Sequence, residues 1–183
     1  GRDVLRSERL LLRPSRRADL DALDAAISES LPELARWLPW AHDAHSRGDT
    51  RRYLRVAQSA RAARNAFEYA IVDRSEQTLL GMVSLHRLDW SRRSCGLGYW
   101  VRRAAWGKGY ATEGGAALLR HAFGDLRLNR VEALVALENA ASRRVVEKLG
   151  FTREGVARGV ERIAGKHLDH LQYSLPAADA GSE

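Results

Sequence analysis

The hydrophobic pattern of the chain changes at about residue 66, and that change limits the folds open to it. From there "AFEYAIVD" (66–73), "TLLGMVSLHRLD" (78–89) and "SCGLGYWVR" (94–102) are rich in apolar, aromatic and β-branched residues. The breaks between them, "RSEQ" and "WSRR", are short and polar, so the three stretches read as consecutive antiparallel strands. Upstream the texture is helical. After a short strand over 8–13, stopped by Pro14, "RADLDALDAAI" places Leu20, Leu23 and Ile27 on one helical face. The proline-punctuated "LPELARWLPWAHD" predicts a second short helix and a loop. "DTRRYLRVAQSARAARN" predicts a third helix, capped by Asp49 or Thr50.

Downstream the two periods alternate. Residues 110–124 form an amphipathic helix with Ala111, Leu118, Leu119, Ala122 and Phe123 on one face. "RVEALVALE" (130–138) reads as a strand buried on both sides. "NAASRRVVEKLGF" is a helix with Asn139 as its N-cap and Gly150 at its end, and "TREGVARG" and "KHLDHLQYSL" are two closing strands. The order β-α-α-α-β-β-β-α-β-α-β-β implies an α+β (mixed α/β) fold: a twisted, mostly antiparallel sheet with flanking helices. One domain over 1–175 and a flexible tail over 176–183 account for the length.

Bulk properties narrow the function class. The net charge of +7, carried mostly by arginine, suits an anionic partner, but the basic residues are scattered and match no nucleic-acid motif. No apolar run is long enough to cross a bilayer. The single Cys95 excludes an internal disulfide and has no metal-ligand spacing with a histidine, which favours a cytoplasmic protein without a metal.

The segment "AAWGKGYATEGG" carries the chemistry. Gly107, Lys108 and Gly109 stand directly before a helix, whose first amides are free and whose dipole favours an anion. The segment admits an ordinary loop, a nucleotide phosphate cradle or a cradle for another anionic cofactor. Two nucleotide signatures fail on spacing: a glycine follows Lys108 where a Walker A loop needs Ser or Thr, and Thr112 stands where the dinucleotide fingerprint needs its third glycine.

"GYWVRRAAWGKGYATEG" followed by "LNRVEALVALENAASRRVVEKLGF" resembles the GNAT acetyltransferase superfamily, in particular the branch of the RimJ/RimL ribosomal-protein N-acetyltransferases. The resemblance extends from about residue 8 to 175. It implies a parallel strand pair that splays apart around the pantetheine arm of acetyl-CoA. The pyrophosphate pattern Gln/Arg-x-x-Gly-x-Gly/Ala falls on Trp106, Gly109 and Ala111, with Trp106 departing from it. By this resemblance the amides of Gly107, Lys108, Gly109, Tyr110, Ala111 and Thr112 hold the pyrophosphate. Tyr99, Trp100 and Val101 pair with the pantetheine arm, and Asn139 reaches it from the other side.

Many members of the superfamily carry a tyrosine acid seven residues after this asparagine; here that position is Val146. The resemblance instead implies Ser142 as the group at the thiol. For the base, Glu68 is the first choice, because Phe67 and Tyr69 should face the opposite side of its strand and leave it toward the substrate cleft. Glu29, Glu33 and Asp43 are rivals, and His42, His45 and His86 weaker ones. Trp37, Trp40 and Trp90 are candidates for the pocket wall, Tyr173 and Asp169 for substrate positioning, and Lys148, Arg143 and Arg144 for CoA phosphates.

The implied reaction is acetyl transfer from acetyl-CoA to a primary amine. An acidic ribosomal protein's N-terminus is the favoured acceptor; no membrane or direct nucleic-acid partner is expected, and a homodimer is left open. Small-molecule amine acetylation and a non-catalytic acyl-CoA-binding module are the alternatives.

Overall fold

The computed structural model describes residues 3–181. One sheet of eight strands runs through the molecule in the order β1-β2-β3-β4-β5-β6-β8-β7. The strands are β1 (Leu5–Arg6), β2 (Leu10–Pro14), β3 (Phe67–Asp73), β4 (Leu79–Asp89), β5 (Ser94–Val101), β6 (Arg130–Ala136), β7 (Thr152–Ile163) and β8 (Lys166–Pro176). Every neighbouring pair is antiparallel except β5 and β6. The fold is the expected mixed α/β one.

Strand periodicity sorts the side chains into two cores. Tyr69 and Ile71 of β3, with Val83, Leu85 and Leu97, face α3 (Tyr110–Gly124) and α4 (Ala140–Lys148), where Leu118, Ala122 and Val146 complete the larger core. Ala70, Val72, Met82 and Trp100 face the other way, toward α1 (Leu20–Trp37) and α2 (Arg47–Ala62), and pack on Leu23, Ile27 and Leu54. Removing a fully buried side chain such as Leu118 costs about 2–5 kcal/mol. Cys95 of β5 belongs to the larger core and is buried.

Several boundaries differ from the sequence expectation: β2 runs through Pro14, which pairs with Tyr69 at the sheet edge, and β7 extends to Ile163. The first two helices are one: α1 runs through Pro32, because the buried stripe Leu23, Ala26, Ile27, Ser30 and Leu34 keeps its helical spacing past the proline. Helix α2 starts earlier and is capped by Ser46, whose Oγ accepts from the Asp49 N–H while the Asp49 carboxylate accepts from the Ser46 N–H. This reciprocal pair satisfies two orphan amides, which Asp49 or Thr50 as the cap would leave open. A two-residue strand, β1, precedes the expected first one. The expected tail also begins later. Pro176 ends β8, the Ala177 N–H donates to the Asn129 carbonyl at 2.8 Å, and Ala180 packs on the larger core; 182–183 lie outside the described residues.

Candidate functional site

Strands β5 and β6 stay together for three pairs only, Ser94 with Arg130, Cys95 with Val131 and Gly96 with Glu132. Beyond Gly96 they part, β5 remaining on β4 and β6 on β8. The Arg102 N–H donates to Leu80 at 2.7 Å. By the alternation of an antiparallel ladder, Tyr99 and Val101 therefore turn their peptide groups toward the gap.

At the far end of the gap stands the glycine turn. Gly107 and Gly109 have φ of +73° and +78°, backbone that side chains rarely adopt, and nothing lies within 4 Å of where a Cβ on Gly107 would stand. Gly109 is the N-cap of α3, whose ladder opens with Glu113 N–H donating to the Gly109 carbonyl. The amides of Tyr110, Ala111 and Thr112 thus precede the first helical bond. Glu113 anchors this end of the helix through Arg9, Nε to Oε1 at 2.7 Å, and Arg9 also lies 4.5 Å above the Tyr110 ring. The half-exposed Trp106 donates its indole N–H to the Val101 carbonyl at 2.7 Å. Lys108 is exposed beside it.

The start of α4 faces β5 across the gap. Asn139 caps the helix, its Oδ1 accepting from the Ser142 N–H at 3.2 Å, so that oxygen is committed to the backbone. The Tyr99 hydroxyl meets Ser142 twice, at 2.8 Å to Oγ and 3.0 Å to the carbonyl. Burial pushes the Tyr99 phenol up to about 12, so it stays protonated. Trp100, by contrast, turns its side chain away, into the smaller core.

Glu68 lies on the α1–α2 face. It lines a cleft of about 440 Å³ with Trp40, His42, His45, Arg52 and Tyr53. The Tyr53 hydroxyl donates to its carboxylate at 3.1 Å, and Arg61 donates to its carbonyl. Burial pushes the carboxyl up to about 7, against the opposing pull of the Tyr53 hydrogen bond and the Arg61 charge. Trp40 packs on Tyr53 and Trp100, with ring centroids 5.3 and 6.1 Å away.

The rivals are placed differently. Glu29 binds Arg102 at 2.8 and 3.1 Å and accepts from the Ala104 N–H, and the Arg102 hydrogen bond holds its carboxyl below the usual range. Glu29 therefore ties α1 to the loop after β5. Glu33 is half-buried, with one carboxylate oxygen lacking a hydrogen-bond partner, and Asp43 is exposed. His42, His45 and Asp49 bring one ligand-type atom each within 4.8 Å of one another at the cleft, but Asp49 serves the α2 cap and His45 Nε2 meets the Thr50 hydroxyl. Trp37 packs under Arg36, and Trp90 donates to the Arg64 carbonyl. Tyr173 is buried on Glu147, and the Asp169 carboxylate accepts from the Gly159 N–H.

The structure also places Tyr53, Ser84 and His86 near Glu68, and of these only His86 was weighed from the sequence. Ser84 stands directly opposite Glu68 on β4, and His86 one step further along the same face. Only strand register, which fixes who stands opposite whom, reveals this.

The sequence matches the acetyltransferase (GNAT) domain family over residues 9–152, and the chain belongs to that family of N-acetyltransferases. It is 34% identical to YdaF of Bacillus subtilis (strain 168), provisionally named a ribosomal N-acetyltransferase, over 92% of each chain. Over 63% of this chain and 60% of the relative it is 28% identical to the ribosomal protein uS5-alanine N-acetyltransferase of Escherichia coli (strain K12). RimJ of Mycobacterium smegmatis, solved with a CoA disulfide, superposes with a TM-score of 0.86 at 25% identity, covering 95% of this chain and 85% of that one. The donor that GNAT enzymes use is acetyl-CoA.

Proposed function

We propose that this enzyme moves the acetyl group of acetyl-CoA to the α-amine of a protein N-terminus, with an acidic, ribosomal-type segment as acceptor. The observation that carries the reading is the Glu68 carboxyl, buried beside Tyr53 in the cleft and pushed up to about 7. An α-amine titrates at about 7.7–8.0 and a lysine amine at about 10.4. A carboxylate near 7 is matched to the first and mismatched to the second.

The parted strands, the amides at the start of α3 and the glycine turn fit a diphosphate-bearing thioester. An exposed lysine stands at the rim, and the turn leaves room where a side chain would intrude. In this assignment residues 107–112 hold the diphosphate, the turned-out peptide groups of Tyr99 and Val101 hold the pantetheine arm, and Asn139 contributes through its remaining amide. Ser142, held by Tyr99, directs a hydroxyl at the sulfur and supports the departing thiolate. Glu68 takes the amine's proton.

Support for the acceptor class comes from charge and from relatives. Arg52 lines the cleft without an ion-pair partner among the described residues, and the chain as a whole is basic. The chain's net charge of +7 disfavours a polyamine. The relatives named for ribosomal proteins point the same way.

The test is an acceptor panel: acetyl-CoA with N-terminal peptides of acidic and basic sequence, lysine side-chain peptides and polyamines, read by mass spectrometry. Acidic peptides acetylated at the α-amine are the expected products, with Ser142→Ala losing turnover while still taking up acetyl-CoA. Exclusive acetylation of small amines, or binding without any product, overturns the acceptor assignment.

A further inference from the structure

Glu68 has a problem of distance. It sits on β3, and two inter-strand steps separate it from β5, where the gap opens. At roughly 4.8 Å per step, its backbone lies about 10 Å from Gly98 across the sheet. A carboxylate that far off does not touch an amine attacking a thioester in the gap without help.

Register shows what fills the interval. Glu68 stands opposite Ser84, and Ser84 opposite Gly98, so the three form one row across the α1–α2 face. His86 stands opposite Gly96, in the next row on that face, at the last pair before β5 and β6 separate. The glycines are what admit this arrangement. A Cβ on Gly96 would come within 2.3 Å of His86 Cε1 and 2.7 Å of Nδ1. One on Gly98 would sit 3.1 Å from Ser84 Oγ and 3.3 Å from His86 Nε2. The imidazole therefore lies across β5, over the space that two missing side chains vacate. Its Nε2 and the Ser84 hydroxyl converge on the same point beside the parting. Ser84 is almost fully buried.

We propose that Ser84 and His86 form the inner end of a proton path whose outer end is Glu68, an inference that rests on Glu68 being the base. Ser84 is the relay. One N–H bond of the attacking amine breaks, and its proton passes to Ser84 Oγ. The hydroxyl's own proton leaves through a bridging water to a Glu68 oxygen, so Ser84 ends as it began and Glu68 holds the proton. His86 is a positioning residue. Its neutral ring offers Nε2 as the acceptor for the amine's second N–H, which turns the reacting N–H toward the Ser84 oxygen. Burial holds the imidazole down to about 4, so it keeps that lone pair throughout the working pH range.

The experiment compares His86→Ala, Ser84→Ala and Glu68→Gln with the unmodified enzyme on one accepted peptide, with acetyl-CoA affinity and thermal midpoint measured for each. His86→Ala opens a pocket over the glycines, so kcat is expected to fall at least tenfold, with acetyl-CoA affinity unchanged, and to recover in part with added imidazole. A packing role would give no such recovery. Ser84→Ala should lose kcat and add little to the loss already present in Glu68→Gln. A Glu68→Gln enzyme as active as the unmodified one removes the base itself. A dead Glu68→Gln beside a fully active Ser84→Ala, or a His86→Ala loss that imidazole leaves untouched, overturns the path alone. Should His86→Ala fail to fold, Ser84→Ala decides by the same criterion.

Discussion

The two halves of the candidate site are built from different materials. The proposed cofactor half, from the parting of β5 and β6 to the starts of α3 and α4, is made of backbone: turned-out peptide groups, two left-handed glycines and two helix ends. The proposed acceptor half is made of side chains drawn from α2, β3 and the α1–α2 loop, with an ionisable group poised by burial. Backbone recognition suits a co-substrate that never changes. Side-chain recognition can be revised one residue at a time, which suits a half that must tell acceptors apart.

The largest expected effect lies in the acceptor half. Glu68→Gln should cut kcat by about 100-fold or more, the range of a general base, and leave acetyl-CoA affinity within about twofold. The pH profile gives the same test a sign. The carboxylate is the form that accepts a proton, so kcat/KM should rise as pH climbs through about 7, ahead of the rise at about 7.7–8.0 that the amine's own deprotonation gives, and Glu68→Gln should keep only the later rise. A profile flat from pH 6 to 8 in the unmodified enzyme would remove Glu68 from the role.

An intermediate effect belongs to the cofactor half. Gly109→Val forces a β-branched residue to a φ of +78°, a strain of about 1–3 kcal/mol, and puts a side chain at the proposed diphosphate cradle. Calorimetry should show acetyl-CoA bound about tenfold or more weakly; unchanged affinity would mean the turn is not the cradle. The smallest effect concerns the joint between the halves. Arg102→Ala releases Glu29 and the loop after β5, a partly exposed pair worth about 1 kcal/mol, and should lower the thermal midpoint by about 2–4 °C. A larger drop would show that the halves stand as one unit.

The same division explains what the sequence revealed. The cofactor half was legible because its determinants are contiguous: the turn at 107–109 borders its helix, and Asn139 and Ser142 share one helical turn. So was the sheet, since period-two apolar stretches between polar breaks leave few options. In the proposed acceptor half only the facing of Glu68 toward the cleft was legible, through the alternation of Phe67 and Tyr69. Tyr53, Ser84 and His86 come near Glu68 through register and through a helix crossing a sheet, neither of which leaves a local mark. Helix ends failed for a related reason: the stripe carrying α1 through Pro32 is written by what packs on it, and Ser46 caps α2 through a pair of bonds that spacing alone did not reveal.

Cys95 has a practical consequence. It is the chain's one thiol, it lies in the core, and burial pushes it up to about 12, so almost none of it is thiolate at neutral pH. A chromogenic disulfide added to the folded enzyme should therefore develop colour only from coenzyme A set free, giving a continuous optical record of each variant. Single cysteines placed at the cleft rim can likewise take a fluorophore without competition from within.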